Sequence, residues 1–153
     1  YFGEKLLQEI NPTISLRMPG VVGVGSHGWI DGIYKKLKNN EALSIFNSPY
    51  NHVIHVLDIY GIIRQICDTE YFKTDFFNVC AGDLSTSLEV VELIKEGLSS
   101  ESVIDINEQD DGVTHVLSNK KLLNLYKPMD VKDTIGLYIK EMNNELTEKG
   151  VIA

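Results

Sequence analysis

Tyr1 and Lys5 stand three residues apart in "YFGEKLL", the spacing of a proton-transfer pair, because one helical turn brings two such side chains to the same face. Imidazoles are the next candidates: His27 in "GSHGWI", and His52 and His55 in "HVIHV". An imidazole titrates near neutral pH and can donate to a hydroxyl or a diphosphate. His52 and His55 fall on opposite faces of a strand-like alternation, and His55 reads as a satisfied core histidine. Cys67 and Cys80 have no partner at C-x-x-C spacing, so small buried hydrophobes in a reducing compartment are expected rather than a disulfide. Glu108, Asp110 and Asp111 could gather a cation, but a solvated turn ending at Gly112 accounts for them, and no metal is expected.

The composition narrows what this chemistry could serve. With 153 residues the chain fits one domain, and 43% hydrophobic residues are enough to build a core. A net charge of -8 argues against nucleic acid, whose phosphates need a basic face. No apolar run is long enough to span a bilayer and there is no signal peptide, so no membrane partner and a cytoplasmic location are expected. The first residue is Tyr rather than Met, and we expect further residues before it.

Short β-like runs alternate with helical patterns, which is the signature of an α/β protein. Residues 2–10 read as the tail of a helix with Phe2, Leu6, Leu7 and Ile10 on one side, stopped by Asn11-Pro12. "TISLRMP" is a buried strand running into the glycine-rich "PGVVGVGSHG". A helix follows over 29–40, with Trp29, Ile30, Ile33 and Leu37 on its inner face. Residues 52–56 alternate as a strand, and Asp58 is placed to cap a helix over roughly 58–68. "FFNVC" is a third strand, and "SVIDI" a fourth. The clearest local signal is "STSLEVVELIKEGL": Thr86 and Glu89 have capping-box spacing ahead of the stripe Leu88, Val91, Ile94, Leu98. "SNKKLLNLY" looks like a short helix. Asp130 should cap a last helix bearing Val131, Ile135, Ile139, Met142 and Leu146.

Taken in order, these words resemble the C-terminal half of the extended short-chain dehydrogenase/reductase family, the nucleotide-sugar epimerases, dehydratases and reductases. "LRMPGVVGVGS" is similar to the family's strand-loop beside the nicotinamide. "NHVIHVLDIYGII" is similar to its "hVhVdDla" segment. "FFNVCAGDLSTSLEVVELI" and "LSNKKLLNLYKPMDVKDTIGLYI" are similar to its last strand-helix and its closing segment. The likeness runs from residue 1 to about residue 146.

The resemblance implies a partial Rossmann-type parallel sheet, contributed by 1–28 and 58–82, and a small α/β substrate-binding lobe from 29–57 and 83–153. It implies an NAD or NADP cofactor, a nucleotide-sugar substrate and a possible homodimer in the intact protein. The chemistry would be hydride transfer to the nicotinamide, with a Tyr hydroxyl as acid or base and a Lys ammonium lowering its pKa. Two registers fit that pair. One uses Tyr1 and Lys5. The other makes "YFGEKLL" the stretch after the pair, which then lies upstream. We take the second, because Glu4 stands where a small residue usually precedes the Lys, and some fifteen residues before Arg17 leave too little room for a whole catalytic helix. In the same way the resemblance sets Met18, Pro19 and Val21 beside the cofactor, or else makes them a strand end packed in the core. Gly20 replaces an Asn that many relatives use on substrate, and His27, Asn51 and His52 fall where substrate contacts occur. Arg17 is read as structural, and Trp29, Tyr34 and Tyr60 as core. Gly20, Gly23 and Gly25 follow a strand with the wrong spacing for a dinucleotide loop, so the nucleotide half is expected elsewhere. A non-catalytic sugar-nucleotide- or partner-binding module is the alternative.

Overall fold

The computed structural model describes residues 2–10, 12–71, 73–107 and 116–148. Its helices are α1 (Phe2–Ile10), α2 (Trp29–Lys38), α3 (Val56–Asp68), α4 (Ser87–Leu98) and α5 (Val131–Glu148). Its strands are β1 (Ile14–Arg17), β2 (Gly20–Val22), β3 (Leu43–Phe46), β4 (Pro49–Tyr50), β5 (Val53–His55), β6 (Asp75–Asn78), β7 (Ser85–Thr86) and β8 (Ile104–Asn107). Among the described residues the strands pair only in twos. β1 runs parallel to β6, β2 to β5 and β3 to β8, while β4 and β7 are antiparallel. A parallel pair needs a long crossover. Between β1 and β6 that crossover holds α2 and α3.

Two apolar cores result. The larger gathers Ile30, Ile33, Tyr34 and Leu37 of α2, Val90, Val91 and Ile94 of α4, and Val131, Ile135, Tyr138 and Ile139 of α5, together with Leu43 and Ile45 of β3. The smaller is built from Ile54, Ile62, Phe77, Val79 and Leu122, with Ile14, Leu16, Ile59 and Ile66 packed against it. The strand β5 divides them: Val53 belongs to the first core and Ile54 to the second.

Several sequence expectations hold. The Thr86 side chain accepts from Glu89 N–H and the Glu89 carboxylate accepts from Thr86 N–H, a complete capping box. Arg17 is structural, its guanidinium gripping the Glu4 carboxylate at 2.9 and 2.6 Å and lying 4.3 Å from the Phe76 ring. This fork ties α1 to the end of β1.

Others are corrected. Residues 20–22 form a strand rather than loop, because "VV" after Gly20 pairs with Val53–His55. The strand β3 was not foreseen, since "LSIF" is too short to show a period and is held by β8 across the lobe. The alternation expected over 52–56 is absent: Val53, Ile54 and His55 are all buried, as a strand covered on both faces requires, and Val56 already begins α3. The α3 cap is His55, whose side chain accepts from Leu57 N–H. Asp58 instead accepts from Tyr126 O–H at 2.9 Å and Met129 N–H at 3.2 Å. At the start of α5 the carboxylate that takes Val131 N–H belongs to Asp83, not Asp130. The helix expected in "SNKKLLNLY" shrinks to one 3-10 turn, Leu122–Asn124. Trp29 and Tyr60 are exposed rather than core, and so is Cys67, whereas Tyr34 and Cys80 are buried. Burial pushes the Cys80 thiol up to about 11. Tyr1, Asn11 and the acidic cluster Glu108, Asp110, Asp111 with Gly112 lie outside the described residues.

Candidate ligand cleft

The glycine-rich segment after β1 owes its course to Gly25, whose φ of +79° is a left-handed conformation that glycine adopts without cost. A turn bond from Ser26 N–H to Gly23 O at 3.0 Å folds it back, so that 26–28 deliver the chain to the start of α2. This places the loop against β4 and β5 and opens a cleft of about 260 Å³ lined by Gly20, Val21, Val22, Ser26–Asp31, Tyr50 and His52. A second, more open depression of about 450 Å³ continues from it along Pro19–His27 to Val56.

Of the residues singled out in the sequence, Gly20, Val21, His27 and His52 line this cleft, and Pro19 lines only the adjoining depression. Gly20 N–H donates to His52 O at 3.2 Å, and a Cβ at Gly20 would come equally near that oxygen. The His27 side chain is 87% exposed at the mouth. Met18 is 48% exposed and lines neither depression. Asn51 is buried with its amide engaged: Nδ2 donates to Leu117 O at 2.7 Å and Oδ1 accepts from Leu117 N–H at 3.1 Å. It pins the strand-like segment 116–119 as a backbone would. Lys5 is an exposed residue of α1.

Ser26, Trp29, Asp31 and Tyr50 were missed as cleft residues. The available signal was "SHGWI", where a polar glycine turn sets a large aromatic at the first position of a helix. Tyr50 donates its hydroxyl to His52 O at 3.2 Å, and burial raises its pKa. Its ring lies 5.0 Å from Trp29 and 5.9 Å from His52. The Nε2 atom of His52 is buried with no hydrogen-bond partner among the described residues. Asp31 is held by Lys35 Nζ at 2.7 Å and by Tyr138 O–H at 3.5 Å from α5. That Tyr138 phenol is pushed up to about 12, first by burial and then by the Asp31 charge. His27 Nδ1 is 3.9 Å from Asp31, too far for a hydrogen bond.

His55, behind the cleft, anchors the arrangement. Because Leu57 N–H donates to Nδ1 at 3.2 Å, the ring hydrogen sits on Nε2 and faces the Glu141 carboxylate, also at 3.2 Å. One imidazole thereby caps α3 and reaches α5. Among the described residues no cluster of His, Cys, Asp or Glu is placed to hold a metal ion, and no helix is long and apolar enough to cross a membrane. The cleft has the makings of a binding surface: aromatic walls, a few polar atoms at the rim, and no nucleophile set against a base.

Helices with short, mostly parallel strand pairs define a mixed α/β architecture. Within that class, the fold is shared with nucleotide-sugar epimerases and dehydratases, as the sequence resemblance implied. UDP-glucose 4-epimerase of Thermotoga maritima, solved with UDP-glucose, matches 95% of this chain and 52% of its own at a TM-score of 0.74 and 18% identity. The Bordetella bronchiseptica enzyme WbmG, solved with NAD and UDP, matches 88% and 45% at 0.67 and 24%. UDP-N-acetylglucosamine 4-epimerase of Methanobrevibacter ruminantium matches 94% and 51% at 0.70 and 18%. The chain spans about half the length of these enzymes. No family model and no curated protein matches it.

Proposed function

We propose that this chain is the C-terminal half of an NAD(P)-dependent enzyme that epimerises, dehydrates or reduces a nucleotide sugar. The observation that carries this reading is a fold match over nearly the whole chain to half of such enzymes, with the sequence-derived residues Gly20, Val21, His27 and His52 lining one cleft and Pro19 the depression beside it. The pair β1–β6 would continue a Rossmann-type sheet, and 29–57 with 83–153 would supply the substrate lobe. The nicotinamide would lie by the Pro19–Val21 backbone, and the sugar nucleotide toward His27 and His52. The acid-base Tyr and its Lys would stand upstream of Tyr1, so that α1 is the end of the catalytic helix. The intact enzyme would work in the cytoplasm, with a dimer as its possible assembly.

The test is made on the intact protein encoded around this segment. Incubation with UDP-hexoses and NAD or NADP should give a new sugar nucleotide, with reduced nicotinamide formed transiently or consumed. An upstream sequence with neither a glycine-rich βα turn nor a Tyr-x-x-x-Lys would reject the proposal. The 153-residue chain alone should show no thermal shift with NAD, because ligand stabilisation requires a formed site.

A further inference from the structure

We propose that the Trp29–Tyr50 pair is a stacking platform, and that the cleft beside it receives an uncharged ring rather than the phosphates of the ligand. The inference rests on the reading of this cleft as the ligand site, and it names which portion of a nucleotide sugar enters.

Trp29 is the first residue of α2, on a helix whose inner face already carries Ile30, Ile33 and Leu37. It stays 45% exposed, turned to the cleft and tilted by 41° against Tyr50. The Tyr50 ring cannot swing freely, since its hydroxyl is committed to His52 O. Two aromatic rings, one of them held by its hydroxyl, at the wall of a cleft of about 260 Å³ suit one ring with an apolar face, whether the C–H face of a sugar or the plane of a base.

The charge at the cleft argues in the same direction. A diphosphate is recognised by Arg or Lys. Among the described residues neither lines the cleft, while the Asp31 carboxylate does. The positive end of α2 might be thought to replace a cation, yet Asp31 sits in its first turn and already answers that dipole. What remains at the rim is Ser26, His27 and the Asp31 oxygens, already paired with Lys35 Nζ at 2.7 Å, with His52 Nε2 behind, a set that exchanges hydrogen bonds with hydroxyls or ring N–H groups and sets no Arg or Lys against an anion.

Trp29 is the only tryptophan of the chain, so its emission reports the platform directly. The folded chain is titrated with methyl glucoside, uridine, UDP-glucose and inorganic pyrophosphate. A saturable change is expected with UDP-glucose and with one of the two neutral compounds, which identifies the sugar or the nucleoside as its source; pyrophosphate should neither cause nor compete with it. Tyr50→Leu should weaken the ring compounds roughly fivefold or more, the scale of losing one aromatic stack, while Tyr50→Phe keeps them. Saturation by pyrophosphate, no response to any ring compound, or unchanged affinity in Tyr50→Leu would overturn the proposal. Should Tyr50→Leu not fold, the pyrophosphate competition on the unaltered chain still decides. The cofactor assay is independent: ring-dependent emission without nicotinamide chemistry leaves the platform standing and rejects the enzyme, and the converse result does the opposite.

Discussion

The helices α4 and α5 and the helices α1 and α3 solve the same burial problem differently. Each of α4 and α5 is apolar along one stripe, and among their described residues no large hydrophobic is exposed. The helix α3 is apolar on two sides. Ile59, Ile62 and Ile66 face the smaller core, whereas Val56, Leu57, Tyr60 and Ile63 are 48–64% exposed. On α1, Leu6 and Leu7 are 51% and 56% exposed. A helix apolar all round suits burial between layers, and a large uncovered patch marks a surface made for association. The helices α4 and α5 are therefore covered within their lobe, whose exposed large apolar residues include Phe46 and Ile106 of the β3–β8 pair, whereas the α1–α3 side is not covered.

The largest expected effect lies in the α4–α5 lobe. Ile135→Ala, at a fully buried position of α5, should lower stability by about 2–5 kcal/mol through lost burial and the cavity left behind. Denaturant melts would measure it; a loss under 1 kcal/mol would show that this core is not closely packed around Ile135. Gly61→Ala comes next. A Cβ there would meet the Tyr126 hydroxyl at 2.6 Å and push it from Asp58, so about 1–3 kcal/mol should go, from the junction of α3 with the 126–129 segment. Thr86→Ala removes the α4 cap and should cost about 1 kcal/mol.

Acid sharpens the same contrast. The Glu89 carboxyl is held below its usual value, first by the Ser85 hydroxyl and then by Thr86 N–H. A depressed carboxylate contributes its stability above its unfolded pKa and loses it as pH falls through the folded value, so the capping box should weaken only below the ordinary carboxylate range. Wild type and Glu89→Gln should converge in stability at such acid pH; a constant gap would detach the cap from the Glu89 charge. The smallest effect is expected outside the α4–α5 lobe. Leu6→Gln and Ile63→Gln should change stability within about ±0.5 kcal/mol while reducing concentration-dependent association of the chain. Sedimentation would separate the two readouts, and equal association in the variants would assign it elsewhere.

Features with a local cause were legible before any coordinates. The box at Thr86–Glu89 and the α4 stripe depend on residues within a turn or two of each other, and both are present. The parallel partners β1 and β6 announced themselves as short β-branched or aromatic runs ended by Pro19 and Gly82. Four of the eleven residues that line the cleft, Gly20, Val21, His27 and His52, were legible too, through the unusual glycine and histidine content of 19–28 and 51–52. Trp29 was not, because its spacing to Ile33 is as good for a core residue as for a rim residue, and only the position of Tyr50 distinguishes them. Asp58 was misjudged as a helix cap, and the partner of Asn51 was not foreseen, for a related reason. Their partners, Leu117 for one and Tyr126 with Met129 for the other, lie more than sixty residues further on.

The sequence by itself determined where the longer helices run, where β1 and β6 fall, and which helical stripes are apolar, because propensity, capping and periodicity act over a few residues. Tertiary structure alone decided which stripe is covered and which buried polar atom meets which partner. Those outcomes depend on contacts between segments far apart in the chain, whose energies no short window of residues contains.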